Sequence, residues 1–386
     1  MSDTATAGIE REDLRLLRES ATAFAQKHLN PGRLRRLRDE GREFDREIWT
    51  QFAELGWTGL MISEDAGGFG MGLEAAAAVL EPLGQQLMPE PLIAGALLPG
   101  DVLSRCPAGA LRDRLLGDIA SGKLIAALAW QSGLDPFASG PATVTASKTS
   151  AGETLRGKAL YVMPGRGADG YIVAAAKEDG QALYWIDASA KGLTVAARQR
   201  PDGGSVADLT FDVSLGTDAC LAPPDQGAAI VAASVDIAAI LASAELLGAI
   251  RGAFGITIDY LKTRKQFDRT IGSFQALQHR AADLYLKQRV AAASLAGALR
   301  ELEQAQSSEA RMRAASRVKI RCSDVAYQVG REAIQLHGGI GYTDEHDIGL
   351  YMKRAIVLGA WLGNSAQHLR RLDRLNRQGN PVEARS

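Results

Sequence analysis

The run AAIVAASVDIAAILASAELLGAIRGAFGITIDYLKTR, residues 228–264, constrains the fold more than any other stretch of the chain. It is apolar on nearly every face of a helical repeat, and a helix of that kind needs neighbours all round it. Its most apolar part, about 227–250, is interrupted by Asp236 and Glu245, so it reads as a buried helix and not as a membrane span. The covering elements follow in sequence. SFQALQHRAADLYLKQRVAAASLAGALRELEQA (273–305) and SEARMRAASRVKIRCSDVAYQVGREAIQLHG (308–338) are helical in period, the latter stopped by Gly338, and a final helix is expected over 344–376. Long antiparallel helices with short connections make a four-helix bundle.

Upstream the texture changes twice. Residues 1–121 read as helices, with apolar positions at helical spacing in 10–29, 45–57 and 72–87 and the glycine-rich SEDAGGFGMG between the last two. Residues 122–225 carry short β-rich runs such as KLIAALAW, GYIVAAA and VADLTFDVS, separated by Gly, Asp and Pro. Their regular spacing predicts a small antiparallel barrel or sandwich. The chain is therefore read as α+β in three parts: an all-helical domain 1–121, a β-domain 122–225 and a helical bundle 226–386.

Bulk properties exclude some functions. With 44 basic and 45 acidic residues among 386, the net charge is −1, without the basic excess of a nucleic-acid binder. Cys106, Cys220 and Cys322 are widely spaced and odd in number; they offer neither a disulfide framework nor zinc spacing, which fits a reducing cytoplasm. The start, MSDTATAGIEREDLRLL, lacks the basic and apolar pattern of a signal peptide.

Three constellations carry chemistry. The stretch HGGIGYTDEH, His337 to His346, holds three glycines between two histidines. His337, Glu345, His346 and Asp347 do not sit three or four apart on one helix, so a metal site is disfavoured against helix-start polar residues, with Thr343 as the N-cap. The glycines follow a helix rather than a strand, which excludes a dinucleotide-binding fingerprint, and no Gly-Lys-Ser/Thr makes a P-loop. In RKQFDRTIGSFQALQH (264–279), Arg264 ends one long helix and Gln275 begins the next, and Phe267 and Phe274 lie between them. An Arg at a helix end can clamp a diphosphate; the plainer reading is a surface turn with a solvated basic cluster.

Taken together, YLKTRKQFDRTIGSFQALQHRAADL, QLHGGIGYTDEHDIGLYMKRA, LGWTGLMISEDAGGFG and LEPLGQQLMPEP resemble the acyl-CoA dehydrogenase family over nearly the whole chain. The resemblance implies a helical domain, a central antiparallel β-barrel and a C-terminal four-helix bundle. It also implies FAD, an acyl-CoA substrate desaturated between its α and β carbons, an electron-transfer flavoprotein as acceptor, and a homo- or heterotetramer with another such chain; neither nucleic acid nor membrane is implied. By position, Arg264, Phe267 and Gln275 resemble the residues that hold the diphosphate of a neighbour's FAD, and Gln335, His337, Gly338 and Gly339 the segment along its adenosine-diphosphate end. Tyr161 stands where the family's ring-packing tryptophan is expected.

The chain also departs from the pattern. Trp130 and Met163 replace threonines that would donate to the flavin, and methionine has no donor. Leu362 and Ala238 occupy the two places where the family keeps its catalytic glutamate. Glu245 lies two helical turns after Ala238 on nearly the same face, among apolar neighbours, and is the candidate base. A structural acid paired with Arg251 or another polar group is the other reading of Glu245, and Asp236 aligns with a position near the substrate. ASAELLG resembles a bacterial subgroup, including steroid side-chain enzymes, whose members pair unlike chains and in which one chain has often lost part of its flavin site. Two functions follow: a competent dehydrogenase, alone or within a heteromer, or a non-catalytic subunit that supplies only the FAD diphosphate half-site.

Overall fold

The computed structural model describes residues 3–28, 30–137, 142–149, 152–304 and 307–379. In chain order, α1 is Asp3–His28, α2 Pro31–Asp39, α3 Arg46–Glu54, α4 Gly72–Gln85, α5 Leu98–Arg105 and α6 Ala110–Ala120. The strands β1 Ala126–Ala129, β2 Val144–Thr149, β3 Gly152–Val162, β4 Gly170–Lys177, β5 Gly180–Asp187, β6 Leu193–Gln199, β7 Ser205–Leu215 and β8 Cys220–Ala222 follow. Then come α7 Gly227–Thr263, the short pair β9 Lys265–Gln266 and β10 Arg269–Thr270, α8 Gln275–Gln304, α9 Ser308–His337, α10 Ile348–Ala360 and α11 Ser365–Gly379.

The chain divides into two compact units. One comprises Met1–Arg35, Ala77–Met88 and Ala239–Ser386; the other comprises Arg36–Ala76 and Pro89–Ala238. The boundary falls inside α2, α4 and α7.

The second unit is built on a mixed eight-stranded sheet in the order β6-β7-β3-β2-β4-β5-β8. It is not the all-antiparallel barrel expected from the strand spacing. β1 runs parallel to β4 through Ala126↔Gly170 to Ala129↔Val173, and β2 touches the same edge of β4 in parallel at Thr145↔Ala176. Period-two patterning fixes which face of a strand is buried, not the direction of its partner, which is why the sequence left this open. β4 is buried on both faces over most of its length, as its uninterrupted apolar run requires. β7 alternates, burying Ala207, Leu209, Phe211 and Val213.

The first unit is helical. α9 packs on α8, α10 and α11. In α7, 94% of the apolar window is buried, in keeping with a core helix. Two glycines let it approach α4 closely: a Cβ on Gly248 would lie 2.0 Å from the Glu81 carbonyl, and one on Gly252 would lie 2.5 Å from that of Gln85.

The helix expected over 344–376 is two helices. α10 stops at Ala360, and Leu362 and Gly363 take positive φ values of 61° and 102°. Asn364 then starts α11 with a reciprocal cap: its side-chain oxygen accepts from the Gln367 N–H at 3.0 Å, while Gln367 Oε1 accepts from the Asn364 N–H at 2.8 Å. Nor is Thr343 the N-cap. It closes a short 3₁₀ turn, Gly338–Tyr342, with its hydroxyl donating to Ile340 O, and α10 begins five residues later.

Candidate cofactor-binding and active-site residues

The first candidate surface starts where α7 ends. The Ile271 N–H donates to the Arg264 carbonyl at 2.8 Å and closes a small loop around the β9–β10 hairpin. The hairpin turns on Phe267 and Asp268, with φ of 54° and 60°, the left-handed pair of a two-residue I′ turn. Asparagine and glycine suit such a turn; phenylalanine does not, and here it stands 86% exposed. Arg269 lies 3.9 Å above the Phe274 ring, and Phe267 meets that ring edge-on at 6.2 Å. Arg264 and Gln275 are exposed on either side.

The second surface is the end of α9. Gln335 is exposed on the last turn, and its carbonyl accepts from the Gly338 N–H. Gly338 has φ 67° and ψ −143°, a conformation that favours glycine. Gly341 is needed for packing, since a Cβ there would come 2.7 Å from the Ile334 carbonyl. Gly339 has neither reason. Its φ is not left-handed, and a Cβ would meet nothing within 4 Å. Nothing among the described residues requires glycine at 339, so the missing side chain leaves an open backbone surface.

These two surfaces are joined through Tyr260, one turn before Arg264, which stacks on His337 at 4.5 Å. His337 itself is buried. Its Nδ1 donates to the Ala333 carbonyl at 2.7 Å, and its Nε2 has no hydrogen-bond partner among the described residues. Burial holds its pKa below the ordinary histidine value. His337 thus sits behind the glycine turn as a support, while Arg264, Phe267, Gln275, Gln335, Gly338 and Gly339 face outward.

Glu245 is buried in the same unit, and its carboxylate lies 3.5 Å from Arg354 Nη1. Arg354 also donates through Nη2 to the Met88 carbonyl at 2.6 Å. Arg251, the partner foreseen from sequence, instead pairs with Glu81, which also receives Arg18. A Cβ on Gly84 would lie 2.3 Å from the Glu245 carbonyl, so this turn of α7 is pressed against α4.

Two groups that the sequence reading missed surround Leu362. Lys319 is fully buried on α9, and its ammonium donates to the carbonyls of Leu358, Gly359 and Gly363 at 2.8, 3.0 and 3.0 Å. It neutralises the carbonyl end of α10, where a cation is favoured. Burial nevertheless pushes its pKa down to about 7. His368 holds Leu362 O at 3.1 Å through Nε2 and Ser316 Oγ at 3.1 Å through Nδ1; burial among cations drives its pKa to about 3. The available signal was a lysine on the apolar stripe Ala315, Lys319, Cys322, Ala326.

Tyr161 belongs to the other unit. It sits at φ 57° where the β3–β7 register shifts, and its N–H donates to Asp208 at 3.3 Å. Beside it Met163 accepts from Arg200 Nη1 at 2.9 Å, and Arg200 is bound to the buried Asp202. Among the described residues, no group of three or more His, Cys, Asp or Glu side chains could hold a metal ion.

Similarity to known proteins shows the family. Family models match both ends of the chain: the acyl-CoA dehydrogenase N-terminal domain over residues 11–123 and the C-terminal domain over 225–375. Acyl-CoA dehydrogenase IpdE2 of Mycobacterium tuberculosis is 33% identical over 94% of this chain and 96% of its own length. The chain belongs to the acyl-CoA dehydrogenase family. Similar solved structures include the ChsE4-ChsE5 complex from Mycobacterium tuberculosis, with a TM-score of 0.86 and 25% identity over 96% of this chain and 98% of that one. A variant of the Tcur3481-Tcur3483 steroid ACAD has a TM-score of 0.85 and 29% identity, covering 96% and 99%.

The enzyme class of this acyl-CoA dehydrogenase is therefore that of FAD-dependent oxidoreductases. Gly339 leaves open backbone, and Arg264, Phe267 and Gln275 present exposed side chains on which a ligand could rest.

Proposed function

We propose that this acyl-CoA dehydrogenase works as one subunit of a heterotetramer, and that its first unit gives the assembly the surface for the diphosphate and adenosine of FAD. The observation that carries this is Gly339, a glycine for which nothing among the described residues gives a reason, together with the exposed, positive-φ Phe267. Arg264 and Gln275 hold the diphosphate, and Gln335, Gly338 and Gly339 line its adenosine side, with His337 supporting them from behind. Relatives described as a ChsE4-ChsE5 complex and a Tcur3481-Tcur3483 steroid ACAD support a pairing of unlike chains. We take the substrate to be an acyl-CoA of fatty-acid or steroid catabolism, the electron acceptor to be an electron-transfer flavoprotein, and the compartment to be the cytoplasm. The functional divisions remain 1–121, 122–225 and 226–386.

Bound FAD would supply a hydride acceptor for the β-carbon of the thioester. The protein must supply a carboxylate for the α-proton. With Leu362 and Ala238 at the usual places, a partner chain provides that carboxylate and the flavin-ring contacts that Met163 and Trp130 lack. A second reading keeps Glu245 as the base, favoured by its place in the apolar middle of α7 with Arg354 3.5 Å away.

The test is the ratio of flavin to chain in the protein purified alone and co-expressed with an acyl-CoA dehydrogenase encoded beside it. Colourless protein alone and one FAD for two chains in the complex are expected. One FAD per chain, or the absence of a complex, would overturn the subunit reading.

A further inference from the structure

The 3₁₀ turn Gly338–Tyr342 is gripped from both of its flanks by histidines. At its start, His337 donates from Nδ1 to Ala333 O, its buried Nε2 has no hydrogen-bond partner among the described residues, and burial favours the neutral ring. Beyond its end, the Ile348 N–H donates to His346 Nδ1 at 3.2 Å. That bond needs a lone pair on Nδ1, which an imidazolium does not have. It also does necessary work: Asp347, the N-cap residue of α10, makes no side-chain cap, so the imidazole of His346 satisfies a first-turn N–H in its place. The two rings lie 4.3 Å apart, centroid to centroid, and Tyr260 covers both, at 4.5 Å from His337 and 6.1 Å from His346.

We propose that His346 is a positioning residue and a proton-sensitive clasp: its neutral ring caps α10 and, packed at a tilt against His337, closes the glycine turn, and its protonation releases both. Burial is the main influence that favours the neutral ring, and the charged groups around it divide. Arg35 from α2 opposes a second positive charge there; Tyr260 from α7 and His337 from α9 are uncharged; Asp347 on its own segment favours protonation, but its carboxylate is taken by Arg35 at 2.5 Å. Both rings lie below the ordinary histidine range. The clasp is therefore closed at neutral pH and opens on acidification. Its consequence for cofactor retention rests on the assignment of Gly338 and Gly339 to FAD made above.

The experiment is amide hydrogen exchange over residues 338–350 in the assembled protein, corrected for intrinsic rates, from about pH 7.5 down to about pH 4.5, a range that reaches below the ordinary histidine value because burial lowers this one. Exchange at the lower pH is expected to be faster by about fivefold, the loss of one helix cap. His346→Asn keeps an acceptor for the Ile348 N–H without a titrating ring, and its exchange is expected to stay slow across the range. His337→Phe keeps an aromatic partner and leaves His346 free to titrate, so the acid response is expected to persist. A wild-type profile flat with pH, an equal response in His346→Asn, or its loss in His337→Phe would overturn the proposal. Flavin retention measured on the same samples separates the two readings: a turn that loosens while FAD stays bound leaves the clasp standing and removes the turn from the cofactor site.

Discussion

Arg354 reaches Glu245 at 3.5 Å inside the helical unit, and both side chains are more than nine-tenths buried. The same guanidinium holds the Met88 carbonyl just past the end of α4. One buried ion pair therefore ties α7, α10 and the chain beyond α4 together. A buried pair of this kind is costly to break because the remaining charge has no solvent.

Glu245→Gln is accordingly expected to destabilise the fold by about 3–5 kcal/mol if the pair is structural. Urea unfolding measures it, alongside turnover of the assembled enzyme. Replacing both residues, Glu245→Leu with Arg354→Met, should recover much of that loss. Turnover abolished in Glu245→Gln at unchanged stability would instead make Glu245 the base.

Gly339 and Gly341 should respond differently to the same methyl group. Gly339→Ala is expected to change stability by less than about 0.5 kcal/mol while weakening FAD retention. Gly341→Ala drives a Cβ toward the Ile334 carbonyl and is expected to cost about 1–3 kcal/mol. Thermal unfolding and flavin release, followed together, check both.

Arg264→Met and Phe267→Ala remove exposed side chains, so each should leave the isolated chain's stability within about 0.5 kcal/mol. Both are expected to lower the flavin content of the assembled enzyme. Equal flavin content in variant and wild type would take these residues out of the cofactor site.

Lys319 predicts a pH dependence. Its proton leaves near pH 7 in the folded protein and near the ordinary lysine value of 10.5 in the unfolded chain. Between those values the unfolded state holds more protons, so stability rises with pH, by at most about 1.4 kcal/mol per pH unit. Lys319→Met should lack this component, so the wild-type advantage should grow from pH 7 upward. Parallel stability curves for the two proteins would mean that the three carbonyls keep the ammonium charged throughout.

Thiol reactivity should be selective. Burial pushes Cys106 and Cys322 each up to about 12, whereas Cys220 is exposed, though burial of part of its surroundings raises it too. Mass spectrometry after alkylation near pH 8 should find one modified cysteine in folded protein and three after unfolding.

The extent of the long helices was legible in the sequence, because burial of α7, α8 and α9 imposes a local repeat that one strand of text records: 228–264, 273–305 and 308–338 against Gly227–Thr263, Gln275–Gln304 and Ser308–His337. So was the membership of the glycine turn and the Arg264 hairpin in one family pattern. The sequence could not say that Glu245 would meet Arg354 rather than Arg251, because a buried charge pairs with whatever packing brings to it. It could not place the break at Leu362, where a lysine from another helix collects the carbonyls that α10 releases. Nor could it show that Gly341 is required by its own chain while Gly339 is not. Periodicity is a short-range property written along the chain; ion pairs, capped breaks and open glycine surfaces depend on which distant atoms arrive at the same place, and only the tertiary structure decides that.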